Sequence, residues 1–149
     1  MKKTLKITLL PEATIGINVR TLLPSDIWDY IRMEVYRQAK GRCLYCDEHL
    51  TSFECHEVWK YKGNKQILST FECLCSPCHM VHHAGFHLLN ERTEVVDHAI
   101  KINNWTEERF WKQFEIAIYE RRSLKNITNV NIDYVLKFLK QAKLREDKL

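Results

Sequence analysis

Apolar and polar positions alternate near the start of the chain, where Leu5, Ile7 and Leu9 are separated by Lys6 and Thr8. A period of two predicts a short half-buried strand, ending at Pro11. Ala13 to Leu23 has no sustained period and reads mostly as loop, with Arg20 a candidate basic contact. The period then lengthens. Ile27, Ile31 and Val35 mark one face of a helix that starts at Pro24-Ser25, with Ser25 as the expected N-cap, and stops at Gly41. Ser52 to Tyr61 is rich in aromatic and β-branched residues, Lys62-Gly-Asn-Lys65 reads as a tight turn, and Gln66 to Leu74 returns as the second strand of a hairpin. Ser76-Pro77 opens a helix, with Ser as cap and Pro at its first position, and Gly85 is the expected stop. The rest is helical in pattern. Glu94 to Ile102 is short and amphipathic, and Asn104-Trp-Thr106 breaks it. Thr106 caps a longer helix that buries Phe110, Phe114, Ala117 and Ile118. A last helix from about Asp133 turns Val135, Phe138, Leu139 and Ala142 inward and ends in the charged tail Lys143 to Leu149, expected to fray.

At 149 residues, 45% hydrophobic and 28% charged, the chain has the composition of an ordinary globular protein. Three stretches are distinguished: 1–42, a strand and helix packing on the core; 43–90, the core itself; and 91–149, a helical region. The net charge of +4 permits nucleic-acid binding without requiring it. Arg32, Arg37, Lys40 and Arg42 lie along or beside the polar side of the first helix and are candidate phosphate contacts. Met1-Lys-Lys is followed by an apolar run too short for a secretory signal, and no stretch has the length of a membrane span. A cytoplasmic location is therefore expected, where thiols stay reduced and available to metals.

That matters because six cysteines are present, and four of them form two pairs, Cys43-Leu-Tyr-Cys46 and Cys75-Ser-Pro-Cys78. Each two-residue gap bends into a knuckle, so that four sulfurs can converge tetrahedrally on a structural zinc ion. Cys55 and Cys73 read instead as small buried hydrophobes of the hairpin, and Trp59 and Trp105 as core.

The stretch between and after the knuckles carries histidines. His79 and His83 are four residues apart, so they share one helix face and reach the same place, with His82 and His87 nearby as competitors. His56, in the first strand of the hairpin, faces a helix packed across it. Three imidazoles can then hold one cation and leave positions for water and phosphate.

Together these residues resemble a known family. Cys43-x2-Cys46, Glu54-Cys-His-Glu-Val-Trp59 and Leu74-Cys-x2-Cys-His-x3-His83 look like an HNH endonuclease of the zinc-stapled type. The similarity extends to Leu9-Leu-Pro11, Asn18-Val-Arg20, Trp28-Asp-x-Ile-Arg32, Ile102-Asn-Asn-Trp105 and Arg121-Arg-Ser123, covering the chain to about residue 135. The resemblance implies an α+β protein. Its ββα-metal core would carry a pair of zinc knuckles with four cysteine ligands, flanked by an N-terminal helix and C-terminal helices. It further implies a second divalent ion (Mg, Mn, Ni or Zn) at His56, His79 and His83, hydrolysis of DNA phosphodiester bonds, and a base on the first strand. In the preferred register His56 is the ligand and Glu57 the base; shifted by one, His56 is the base and Cys55 its neighbour. The family's Asn position is held by Thr70, with Asn64 the nearest substitute. The other expectation is a catalytically degenerate zinc module of phage or mobile-element origin, binding nucleic acid or a host protein. Oligomeric state is left open by the residues.

Overall fold

The computed structural model describes residues 3–148; Met1, Lys2 and the final residue of the charged tail, Leu149, lie outside the described residues. The hairpin is the centre of a mixed α+β fold. Its strands, β1 (Glu54–Lys62) and β2 (Lys65–Leu74), pair antiparallel from Glu54↔Leu74 to Lys62↔Lys65, with a register shift between Val58 and Trp59. Gly63 closes the turn at φ 59°, a left-handed conformation that favours glycine.

Around the sheet lie α1 (Val19–Leu22), α2 (Ser25–Gln38), α3 (Ser76–His82), α4 (Ala84–Leu89), α5 (Glu94–Asn103), α6 (Glu107–Ser123) and α7 (Tyr134–Glu146). The two faces of the hairpin are covered differently. On one, Phe71 packs against Trp28 of α2 and against Tyr134 and Phe138 of α7, at ring-centroid distances of 6.2, 5.7 and 5.3 Å. The other is met by α3, where His56 stands beside His79, His82 and His83. One core cluster runs through all three stretches of the chain, from Leu5 and Ile31 through Leu74 and Cys78 to Phe110 and Phe138. Phe110, Ala117, Val135, Phe138 and Ala142 are buried as their periodicity predicts, while Phe114, Ile118 and Leu139 are half-buried.

Five local expectations need correction. Leu5 to Leu9 is not a strand, although Leu5 and Ile7 are buried. Its backbone finds other partners: the Asn103 side chain exchanges two 2.9 Å bonds with Leu5, and Thr8 N–H donates to the His82 carbonyl at 3.1 Å. Alternation therefore reports burial here, and the hydrogen bonds come from a side-chain amide and a helix end. Second, the Ala13–Leu23 stretch contains a 3-10 turn at Glu12–Thr14 and α1, capped reciprocally by Asn18 and Thr21.

Third, Pro24 occupies the N-cap of α2 and Ser25 is already helical. Fourth, Ser76 is not the cap of α3; the Cys75 sulfur accepts from Cys78 N–H, so one residue both ends a knuckle and starts the helix. Fifth, Gly85 does not stop the helix. The chain breaks at His83 (φ −106°, ψ 35°) and restarts as α4, which contains Gly85. A Cβ at Gly85 would stand 2.7 Å from Leu9 Cδ2, so the glycine admits the N-terminal segment.

A third strand is absent from the sequence pattern. β3 (Asn129–Asn131) pairs parallel to β2, Lys65↔Asn129 to Ile67↔Asn131, giving the order β1-β2-β3. Asn64 anchors it: its carbonyl accepts from Thr128 and Asn129 N–H, and its side chain donates to Thr128 Oγ1 at 2.8 Å. β1 and β3 are thus the two edges of the sheet among the described residues. Among the described residues no helix is long and apolar enough to cross a membrane.

Candidate functional site

The first knuckle is a tight loop. Cys43 N–H donates to the Glu48 carbonyl, Asp47 N–H to the Cys43 carbonyl, and Leu44 N–H to the Cys73 carbonyl, which ties the loop to the end of β2. The second knuckle is the start of α3. Together they bring Cys43, Cys46, Cys75 and Cys78 within 4.8 Å of one another, with Cys46 and Cys75 sulfurs 3.7 Å apart. Four thiolates around zinc at 2.3 Å form a tetrahedron with edges of about 3.8 Å, so the donor set fits.

The electrostatics fit as well. A hydrogen bond from Cys78 draws the Cys43 thiol down to about 4, and the same bond, with burial, pushes Cys78 up. Burial likewise pushes Cys75 up to about 12. Sulfurs this crowded compete for protons that a dication replaces. The four cysteines could bind a zinc ion.

One partner of this cluster carries no sequence signal. His98 of α5 lies with Nε2 3.2 Å from Cys78 Sγ. A ring N–H directed at a thiolate spreads its charge and fixes its orientation. The His98→Ala variant is expected to bind zinc about 10–100-fold more weakly, as measured by competition with a chromophoric chelator.

The imidazoles also meet. One ring nitrogen from each of His56, His79 and His83 lies within 4.8 Å of the others, and the Nε2 atoms of His79 and His83 are 3.2 Å apart. That is near the roughly 3.3 Å edge expected for nitrogens at 2.0–2.1 Å from a tetrahedral ion. Burial and neighbouring imidazoles depress all three, His79 to about 3 and His83 to about 4, with His56 also strongly lowered. All three rings are neutral near pH 7, the form that ligates. His87 is not part of this group; its Nδ1 lies 3.2 Å from the Arg92 guanidinium.

Glu57 lies differently. Alternation along β1 puts it on the opposite face from His56, cross-strand from Phe71, and its Oε1 accepts from Val19 N–H at 2.7 Å. Because β1 is a sheet edge, residues of both faces border one cleft of about 1070 Å³, which includes Glu57 as well as His56, His79 and His83. Burial raises the Glu57 carboxyl, with the Val19 bond pulling the other way. Thr70 stands opposite Val58, its hydroxyl 3.5 Å from that of Tyr134, and Asn64 is committed to β3.

Of the four candidate phosphate contacts only Arg32 borders this cleft, its guanidinium 5.0 Å from the Phe53 ring centroid. Arg37 pairs with Glu34, Arg42 donates to the Asp47 carbonyl, and Lys40 and Arg42 border a separate hollow of about 470 Å³. The cleft's other basic residues are Lys3, Lys6, Arg20 and Arg121, and Asp29, Glu54, Glu57, Glu72 and Glu120 border it as well, so its lining is mixed in charge.

Behind His56 is a further buried group. Glu72, opposite His56 on β2, accepts from Tyr45 Oη at 2.9 Å and pairs with Lys3. Burial alone would raise its carboxyl, but His82, Lys3 and Tyr45 together hold it at about 2. Cys55 and Cys73 face each other across the hairpin, and burial pushes their thiols up to about 12 and 11, in keeping with inert packing groups. No protein-family model, curated protein or solved structure matches the chain.

Proposed function

We propose that the protein is a metal-dependent endonuclease of the HNH type, built on a ββα-metal core and hydrolysing DNA phosphodiester bonds. The observation that carries this reading is the convergence of His56 from the hairpin with His79 and His83 from α3, beside a cleft bordered by Lys3, Lys6, Arg20, Arg32 and Arg121. These three imidazoles would hold the ion, and an all-nitrogen donor set suits Zn or Ni better than Mg or Mn. When bound, a divalent ion supplies Lewis acidity toward a phosphoryl oxygen.

The remaining work falls to the chain. The basic residues of the cleft bind and orient the phosphate backbone, a salt-sensitive contribution that reads no sequence. Glu57 borders the same cleft and accepts the proton of the attacking water; its burial brings its proton affinity closer to neutral, which suits a base. Its bond to Val19 fixes the carboxylate in place.

A second reading is favoured by a specific observation. Glu57 is engaged by Val19 and turned to the other face, and Thr70 replaces the family's Asn. On that reading the fold is a degenerate zinc module that binds nucleic acid or a host protein. Supercoiled plasmid separates the two. The nuclease is expected to nick it with Zn²⁺, Ni²⁺, Mn²⁺ or Mg²⁺, to stop on mild chelation and to recover when the ion is restored. Protein that carries one tenacious zinc and nicks under none of these ions is the degenerate module.

A further inference from the structure

The end of β1 reads Trp59-Lys60-Tyr61-Lys62, aromatic and basic residues in alternation along an edge of the sheet. A strand turns successive side chains to opposite faces. Lys60 and Lys62 therefore stand on the side of His56, and Trp59 and Tyr61 on the other. Both aromatic residues are half-buried and border the cleft that holds His56. Phe53, which borders it too, is already engaged by the Tyr36 ring at 4.8 Å and the Arg32 guanidinium at 5.0 Å. Among the described residues no other ring and no cation packs on Trp59 or Tyr61.

The charges point the same way. Lys60, Lys62 and Lys65 are exposed, and Lys62 and Lys65 face each other directly across the hairpin. Like charges so placed repel, and an anion beside them relieves the repulsion. The cleft itself has little positive surplus, with five basic residues against five acidic ones on its border. Lys3 is held by Glu72 at 2.5 Å, Arg32 by Asp29 at 4.0 Å, and Arg121 donates to the Leu10 carbonyl at 2.8 Å. A duplex, bound mainly by neutralising its phosphates, gains little from such a lining. An unpaired strand adds the stacking of its bases on aromatic faces and depends less on surplus charge.

We infer that the nucleic acid this site takes is single-stranded or locally unpaired DNA, laid along the edge of β1. Its bases stack on Trp59 and Tyr61, and its phosphates follow Lys62 and Lys60 toward His56. At about 3.3 Å per strand residue, Trp59 lies about 10 Å and Tyr61 about 17 Å along β1 from His56, so the platform is a few nucleotides from the imidazoles. The inference rests on the hydrolase reading, whose substrate it narrows. Supercoiled plasmid remains a substrate because negative torsion favours strand opening. A relaxed closed circle is expected to be nicked more slowly.

The test uses the full chain with its cysteine cluster loaded with zinc and no other divalent ion, so that nothing is cut. Fluorescence anisotropy follows binding of a labelled thymidine oligomer of about 16 nucleotides, alone and annealed to its complement. The single strand is expected to bind about tenfold or more tighter than the duplex. Tyr61→Ser and Trp59→Leu should each weaken single-strand binding about tenfold, the loss of one base stack, whereas Tyr61→Phe keeps the aromatic face and should bind like the parent. Lys62→Gln should reduce the slope of log affinity against log salt by about 0.7.

A duplex that binds as tightly as the single strand overturns the inference. So does parental single-strand binding by Tyr61→Ser, a residue outside the core cluster whose replacement leaves the fold intact. Failure of the hydrolase reading shows separately: the unmodified protein would nick neither plasmid nor single strand under any divalent ion, yet would still prefer the thymidine oligomer to its duplex.

Discussion

On the proposed nuclease reading, replacing His79 with alanine is expected to lower plasmid nicking about 10³-fold or more, since removing a ligand would forfeit several kcal/mol of Lewis-acid stabilisation and each 1.36 kcal/mol is tenfold in rate. The protein should stay folded, because His79 is only half-buried and borders the cleft. His56→Ala should lose as much activity and some stability too, since it empties a buried position under the His82 ring. Initial nicking rates at saturating Ni²⁺ or Zn²⁺, with circular dichroism on the same samples, check both. Rates unchanged in both variants would place the cutting elsewhere. The contrast with Arg37→Ala and Lys40→Ala sharpens the test: neither borders the cleft, so both should cut at the parental rate.

The second large effect concerns the sulfurs. Zinc held by four cysteines contributes about 10–16 kcal/mol in small zinc-dependent folds, as much as the whole net stability of an ordinary domain, about 5–15 kcal/mol. Cys78→Ala is thus expected to leave the chain unfolded at 25 °C, and strong chelation should do the same to the parent reversibly. Cys78 is fully buried and joins α3 to both the first knuckle and His98 of α5, so its loss releases three elements together. Cys55→Ala is the control: that thiol lies outside the cluster, and its replacement should cost only about 1 kcal/mol. Thermal melts followed by far-ultraviolet circular dichroism, with and without added zinc, distinguish these outcomes.

Features written into adjacent residues were legible in the sequence. The hairpin announces itself by its β-branched and aromatic strands around Lys62-Gly-Asn-Lys65, and the knuckles and the His79/His83 spacing are local patterns whose geometry follows from a tight turn and a helical turn. What stayed hidden depends on distant partners. Leu5 to Leu9 looks like a strand because its burial alternates; only the fold brings Asn103, 98 residues on, to supply its hydrogen bonds. β3 is three residues of Asn-Val-Asn, too short and polar to signal pairing, and exists because Asn64 receives it.

His98 stands alone in an amphipathic helix, where nothing nearby predicts a thiolate neighbour. The basic residues of the cleft are equally discontinuous: Lys3, Arg20, Arg32 and Arg121 are scattered along the chain, whereas in the visible run Arg37 pairs within α2 and Arg42 bonds to the first knuckle. Local sequence therefore revealed the donors of each metal group better than their surroundings.

The cover over Phe71 has a consequence for synthesis. Trp28 precedes that ring in the chain, but Tyr134 and Phe138, the two nearer of the three aromatic rings packed on it, are translated more than sixty residues after it. The sulfur cluster, by contrast, is complete once Cys78 has left the ribosome. Zinc can thus clamp the nascent hairpin while one of its faces is still wet, and a chain stalled before Tyr134 would display an aromatic surface to chaperones and proteases.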